Sequence, residues 1–85
     1  MSETAERVRS TILEHIGKMV PDTTQLVDEI GLDSLEVAEL ILTIEDRLEV
    51  GIPNEAVEGF ITIGDVIEYV SGLVDGVPNR NLPSP

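Results

Sequence analysis

Apolar residues in this chain recur at helical spacing, and no segment alternates convincingly enough to be a strand. Val8, Ile12 and Ile16 fall at i, i+4 and i+8, with Ala5 and Leu13 at the flank of that stripe. At about 100° per residue, Val37, Leu40, Ile41, Ile44 and Leu48 share one face of a second segment. Ile63, Val66, Ile67, Val70 and Val74 line one face of a last segment, with Leu73 beside it. Each stripe must find another to be buried against. The pattern predicts an all-α fold: a four-helix bundle of three longer helices and a short third one, with a long first loop.

The punctuation between stripes sets the boundaries. The first helix runs from about Glu3 to Ile16, where Gly17 fits the C-terminal cap and Lys18 places a cation near the negative end of the dipole. Pro21 blocks helix continuation into the loop. That loop carries Met19, Val20, Leu26, Val27 and Ile30, too many apolar residues for a free linker, so these side chains should pin it over the core. Gly31 allows a backbone reversal before the second helix, which spans about Ser34 to Glu49. Gly51-Ile52-Pro53-Asn54 ends it and opens the short helix, with Asn54 as cap and Val57 and Phe60 as apolar contacts. Thr62 caps the last helix with Asp65 three residues on, and Ile61 with Val66 can close as a hydrophobic staple. Residues 1–75 make one domain, and the proline-rich stretch from Gly76 to Pro85 is expected to be a disordered tail.

The start of the second helix does more than start a helix. Asp33 reads as the N-cap, Glu36 completes a capping box, and Leu32 and Val37 can staple. Ser34 is then left at the first helical position with a hydroxyl that the cap does not need. It points outward at the positive end of a helix, where a phosphate group is favoured by free N–H groups and the macrodipole. A second capping residue is the plainer account of Ser34. Downstream, Glu36, Glu39, Thr43 and Asp46 share a polar face, and Leu35, Ala38 and Leu42 form a narrow apolar stripe beyond the acids. Such a stripe, off the core face, is either a docking surface or covered by another part of the chain.

Composition narrows the chemistry. Five basic residues face seventeen acidic ones in 85, a net charge of −12, so nucleic acid and anionic membranes should repel the chain and basic protein patches attract it. With no cysteine there is no disulfide, thiolate metal site or thiol nucleophile, and any thiol must be imported. Aromatics are 2% of the chain, so the core must be aliphatic. The N-terminus lacks a basic region followed by an apolar stretch, and no apolar run is long enough to span a bilayer, so a soluble cytoplasmic monomer is expected. The single histidine, His15, lies about a quarter-turn off its stripe, which fits a partly exposed helical residue rather than a catalytic base.

Gly31-Leu32-Asp33-Ser34-Leu35, followed by Glu39-Leu40, Ile52-Pro53-Asn54-Glu55 and Thr62-Ile63 opening a helix that contains Tyr69, resembles the acyl carrier proteins of fatty-acid and polyketide synthesis. The resemblance covers roughly residues 3 to 74 in order and spacing. It implies a 4'-phosphopantetheine arm joined to Ser34 through a phosphodiester, with Asp33 as motif residue and cap, and a terminal thiol that carries acyl groups as thioesters. It also implies that Leu35, Ala38, Glu39 and Leu42, with Glu36 and Asp46 flanking, dock basic partner enzymes: the phosphopantetheinyl transferase (holo-ACP synthase) and the acyl-loading and acyl-using enzymes. The acyl chain would slip between helices two and three. The chain departs from common housekeeping members in a shorter first loop, in Arg47 where they are usually acidic, and in its proline-rich tail, which points to a specialised carrier of a dedicated pathway.

Rival chemistries fit less well. A serine hydrolase needs a G-x-S-x-G elbow and a base on the serine, and neither is present. Asp22, Asp28 and Asp33 lack the spacing of a calcium loop, so no metal site is expected beyond weak divalent binding to the acidic face. Non-enzymatic alternatives are an aminoacyl, D-alanyl or peptidyl carrier, or an unmodified helical adaptor.

Overall fold

A computed structural model describes residues 3–75. The proline-rich stretch expected to be disordered lies outside the described residues. Among the described residues four helices follow one another: α1 (Glu3–Ile16), α2 (Ser34–Leu48), α3 (Asn54–Glu58) and α4 (Ile63–Asp75). Among the described residues there is no strand, only one isolated antiparallel bridge between Gln25 and Thr62.

The helices meet through their aliphatic stripes. Val8, Ile12, Leu40, Ile44, Ile63, Val66 and Val70 are fully buried with Leu26 from the first loop, and Ile41, Ile52 and Ile67 complete the centre. At about 1.5–3 kcal/mol for each large aliphatic side chain buried, these residues hold the bundle. α1 packs most extensively on α4 and less on α2. It runs antiparallel to α2, since Arg7 near its start donates to the Arg47 carbonyl in the last turn of α2 at 3.2 Å. Phe60 and Tyr69 pack edge to face at the margin, with centroids 5.6 Å apart and planes at 64°.

The helix ends follow local chemistry. Gly17 has φ of 86° and donates its N–H to the Leu13 carbonyl at 2.8 Å, closing α1 as a glycine can and other residues do at a cost. At the start of α4 the Asp65 amide donates to the Thr62 hydroxyl at 3.1 Å, while the Asp65 carboxylate accepts from the Thr62 amide at 3.0 Å and the Ile61 amide at 2.9 Å. Those two backbone donors, Thr62 first, hold the Asp65 carboxyl below its ordinary range.

Several expectations need correction. Leu26 pins the first loop, with Val20 and Ile30 packing against the core, but Met19 is 83% exposed and Val27 57%. The reason is backbone pairing: the Leu26 amide donates to the Ile61 carbonyl at 2.9 Å, which turns Leu26 inward and leaves its neighbour outside. Asn54 does not cap α3. Extended Pro53 holds the cap position without a side-chain bond, and its carbonyl accepts from Ala56 and Val57. Ile61 is exposed rather than stapled, and Leu73 and Val74 are exposed at the end of α4. Thr4 and Thr11, absent from the expected stripe, are buried on α1. α2 closes on Glu49, a non-glycine residue at φ of 57°, two residues before Gly51.

Candidate functional site

The start of α2 has the geometry that its residue types call for. Asp33 is extended, with φ of −90° and ψ of 179°, and its carboxylate accepts from the Glu36 amide at 2.8 Å. The Glu36 carboxylate returns the bond by accepting from the Asp33 amide at 3.1 Å. Leu32 is buried before the cap and Val37 packs against the core after it, the arrangement of a hydrophobic staple. Gly31, at φ of 90°, delivers the chain to this point in a backbone conformation that disfavours a side chain.

With capping assigned to Asp33 and Glu36, Ser34 is exposed at the first helical position, and its hydroxyl takes no hydrogen bond among the described residues. The amides of Ser34 and Leu35 also find no acceptor among them. An anionic group esterified to Ser34 would therefore meet free N–H donors and the positive end of the α2 dipole, without displacing an existing contact. The Ser34 side chain makes no capping bond of its own, and Asp33 and Glu36 form the cap.

Along α2 the three stripes separate as expected. Leu40, Ile41 and Ile44 are buried, with Val37 and Leu48 packed beside them. Leu35 is 66% exposed, Leu42 is 63% exposed, and Ala38 between them is exposed too, so no segment of the described chain covers this stripe. Glu36, Glu39 and Asp46 are exposed alongside it. Of these acids, Glu36 has one oxygen engaged in the cap. Ala38 and Leu42 also form one wall of a hollow of about 240 Å³ between α2 and α3, closed by Ile41, Glu45, Ile52, Asn54 and Val57.

The cations lie elsewhere. Arg47 sits in the last turn of α2, about 20 Å along the helix from Ser34. It pairs with Glu14 at 3.0 Å and donates to the Thr11 hydroxyl at 3.3 Å, so its charge is turned toward α1 rather than displayed beside Leu35 and Leu42. The residue order marks Arg47 only as a positive charge where common members of the family it resembles are usually acidic; these contacts place it in the α1–α2 joint. Among the described residues no group of three or more His, Cys, Asp or Glu side chains could hold a metal ion, and no helix is long and apolar enough to cross a membrane.

Residues 6–70 match the family described as phosphopantetheine attachment site. A solved structure from Mycobacterium tuberculosis, described provisionally as an acyl carrier protein, superposes with a TM-score of 0.68 at 31% sequence identity. The match covers 86% of this chain and 99% of that one. Proteins of this family are carriers whose cofactor is a covalently attached 4'-phosphopantetheine, a group that an exposed, unengaged serine hydroxyl at a helix N-terminus can accept. The chain belongs to the acyl carrier protein family.

Proposed function

We propose that Ser34 is the residue that takes the phosphopantetheine arm, and that the domain of residues 1–75 works as a monomeric cytoplasmic carrier. In this reading it delivers acyl intermediates to enzymes of fatty-acid, polyketide or related lipid biosynthesis. One observation carries the assignment of Ser34: its hydroxyl is exposed and unengaged while Asp33 and Glu36 do all the capping. The arm supplies a terminal thiol that holds acyl groups as thioesters, the function that a chain without cysteine lacks. Leu35, Ala38 and Leu42 give partner enzymes an apolar foothold, and Glu36, Glu39 and Asp46 beside them attract basic surfaces. The hollow between α2 and α3 is the place for the acyl chain to leave water, because its walls are mostly aliphatic.

Incubation with coenzyme A and a promiscuous phosphopantetheinyl transferase tests the assignment by intact mass. Wild type should gain one phosphopantetheinyl group and Ser34→Ala none. Ser34→Ala should melt like wild type, because both cap bonds survive. Modification of the alanine variant would remove Ser34 from the role. Failure of wild type with several transferases would favour an unmodified helical adaptor.

A further inference from the structure

A second apolar surface lies where the first loop meets the segment before α4, away from the α2 stripe in sequence. Val27, 57% exposed, and Ile61, 60% exposed, stand on two different loops that are bound to each other. The Leu26 amide donates to the Ile61 carbonyl at 2.9 Å, the Ile63 amide to the Thr24 carbonyl at 3.1 Å, and Gln25 bridges Thr62. The Asp65 carboxylate ties down the Ile61 and Thr62 amides from below. Two branched aliphatic side chains are thus held in water on a braced backbone, where a mobile loop could have folded them away. Between them is a notch of about 210 Å³, backed by Phe60 and rimmed by Gln25 and Asp28. Asp28 is exposed and has no ion-pair partner among the described residues.

We propose that this notch receives one arginine or lysine side chain of the phosphopantetheinyl transferase that modifies the chain, with its methylene stem between Val27 and Ile61 and its charged head on Asp28. Long basic side chains are amphipathic in this way, burying the stem and keeping the head at a polar rim. The inference rests on the assignment of Ser34 and locates a second point of contact for the enzyme that reaches it. Reach supports it. The Leu32 amide donates to the Leu26 carbonyl at 3.1 Å, and Leu32 precedes Ser34 by two residues, which puts Val27 within roughly 17 Å of Ser34 at about 3.8 Å per Cα step. A stable interface covers about 800 Å² on each partner, a disc of roughly 16 Å radius, comparable with that upper bound, so an enzyme seated over Ser34 is large enough to touch Val27 as well. Charge supports it too: a chain of net charge −12 attracts a basic enzyme, and Asp28 is an unpaired carboxylate beside an apolar slot.

The test is loading of the full chain from coenzyme A by a phosphopantetheinyl transferase, with kcat and KM measured for wild type, Asp28→Asn, Ile61→Ala and the double variant, and melting curves for each. Each single substitution should raise KM about threefold with kcat unchanged, the range of one exposed ion pair or one partly covered aliphatic contact. The double variant should lose less than the product of the two, since both grip the same side chain. Asp28→Asn should also flatten the dependence of KM on salt. Asp28→Asn removes no packing, so it keeps the test decisive even if Ile61→Ala loosens the fold. Wild-type KM in Asp28→Asn overturns the proposal, as do fully multiplicative losses in a folded double variant. Failure of wild type to load overturns the Ser34 assignment itself, a different result from loading that ignores the notch.

Discussion

The Arg9 guanidinium grips both oxygens of the Asp22 carboxylate, Nε to Oδ1 at 3.0 Å and Nη2 to Oδ2 at 2.7 Å. The Asp22 carbonyl accepts the Gly64 amide at 2.8 Å, so one residue of the first loop joins the middle of α1 to the first turn of α4. Two parallel charge-assisted bonds fix direction as well as distance, which a single lysine contact would not. The loop that leads to Ser34 is therefore fastened at Asp22 and, four residues on, by buried Leu26.

This pair should show in the pH dependence of stability. The hydrogen bond from Arg9, with its charge, lowers the Asp22 carboxyl below its ordinary value of 3.8 and raises the guanidinium further. A carboxyl whose folded value is depressed stabilises the fold fully above its unfolded value and loses that contribution as pH falls through the folded one. Asp22→Asn should thus melt below wild type by a constant margin above about pH 5, and the margin should close as pH falls below the ordinary carboxyl value of 3.8. Partial exposure of both groups keeps the effect small, within about 1 kcal/mol. A margin that persists at low pH would mean that the carboxylate charge contributes nothing.

Core and exposed stripe of α2 differ by two residues in sequence and by nearly everything in environment. Ile44 is fully buried, and Ile44→Ala should cost about 2–5 kcal/mol by urea denaturation. Leu42→Ala removes a side chain already in water and should cost less than about 0.5 kcal/mol. Comparable losses would mean that Leu42 is covered in solution.

What the residue order reveals is what local chemistry decides. The capping boxes at Asp33 with Glu36 and at Thr62 with Asp65 are four-residue patterns, and both form with reciprocal bonds. Ser34 is legible for the same reason, since its exposure follows from a cap that is complete without it. Thr4 and Thr11 could have been found as well, because with Val8 they keep helical spacing and threonine can bury its methyl. Thr11 then satisfies its hydroxyl by donating to the Arg7 carbonyl at 2.9 Å. The loop was opaque: only its pairing with residues 61–63 decides that Leu26 is buried and Val27 is not. Arg9 with Asp22, and Arg47 with Glu14, join segments with no periodic relation, so the α1–α2 joint and the Val27–Ile61 notch emerge only in three dimensions.

Arg47 should matter to stability and not to loading. It answers Glu14 in a chain of net charge −12, where self-repulsion already reduces the stability of the compact state. Arg47→Ala should lower the melting temperature modestly at low salt, and added sodium chloride should raise both proteins and narrow their difference. Transferase rates should be equal for the two, as Arg47 lies at the far end of α2 from Ser34. Faster loading of the variant would mean that the arginine does face the incoming enzyme.

The proposed α2 docking stripe makes a kinetic prediction that separates attraction from anchoring. Glu39 is exposed with no ion-pair partner among the described residues, so Glu39→Lys reverses a charge that a basic enzyme meets during approach. Such a change acts chiefly on association, while Leu42→Ala removes an apolar anchor and shortens the life of the docked complex. Both variants should melt close to wild type, because neither side chain is in the core. Rising salt should slow loading of wild type and shrink its lead over Glu39→Lys, since the attraction is screened over about 10 Å at 0.1 M. The deficit of Leu42→Ala should respond far less to salt, because apolar contact is not screened. Transferase rates against salt for the three proteins decide the matter. Two folded variants loading as fast as wild type at every salt concentration would move the enzyme off this face of α2, and a salt-insensitive deficit in Glu39→Lys would make the residue a contact rather than a steering charge.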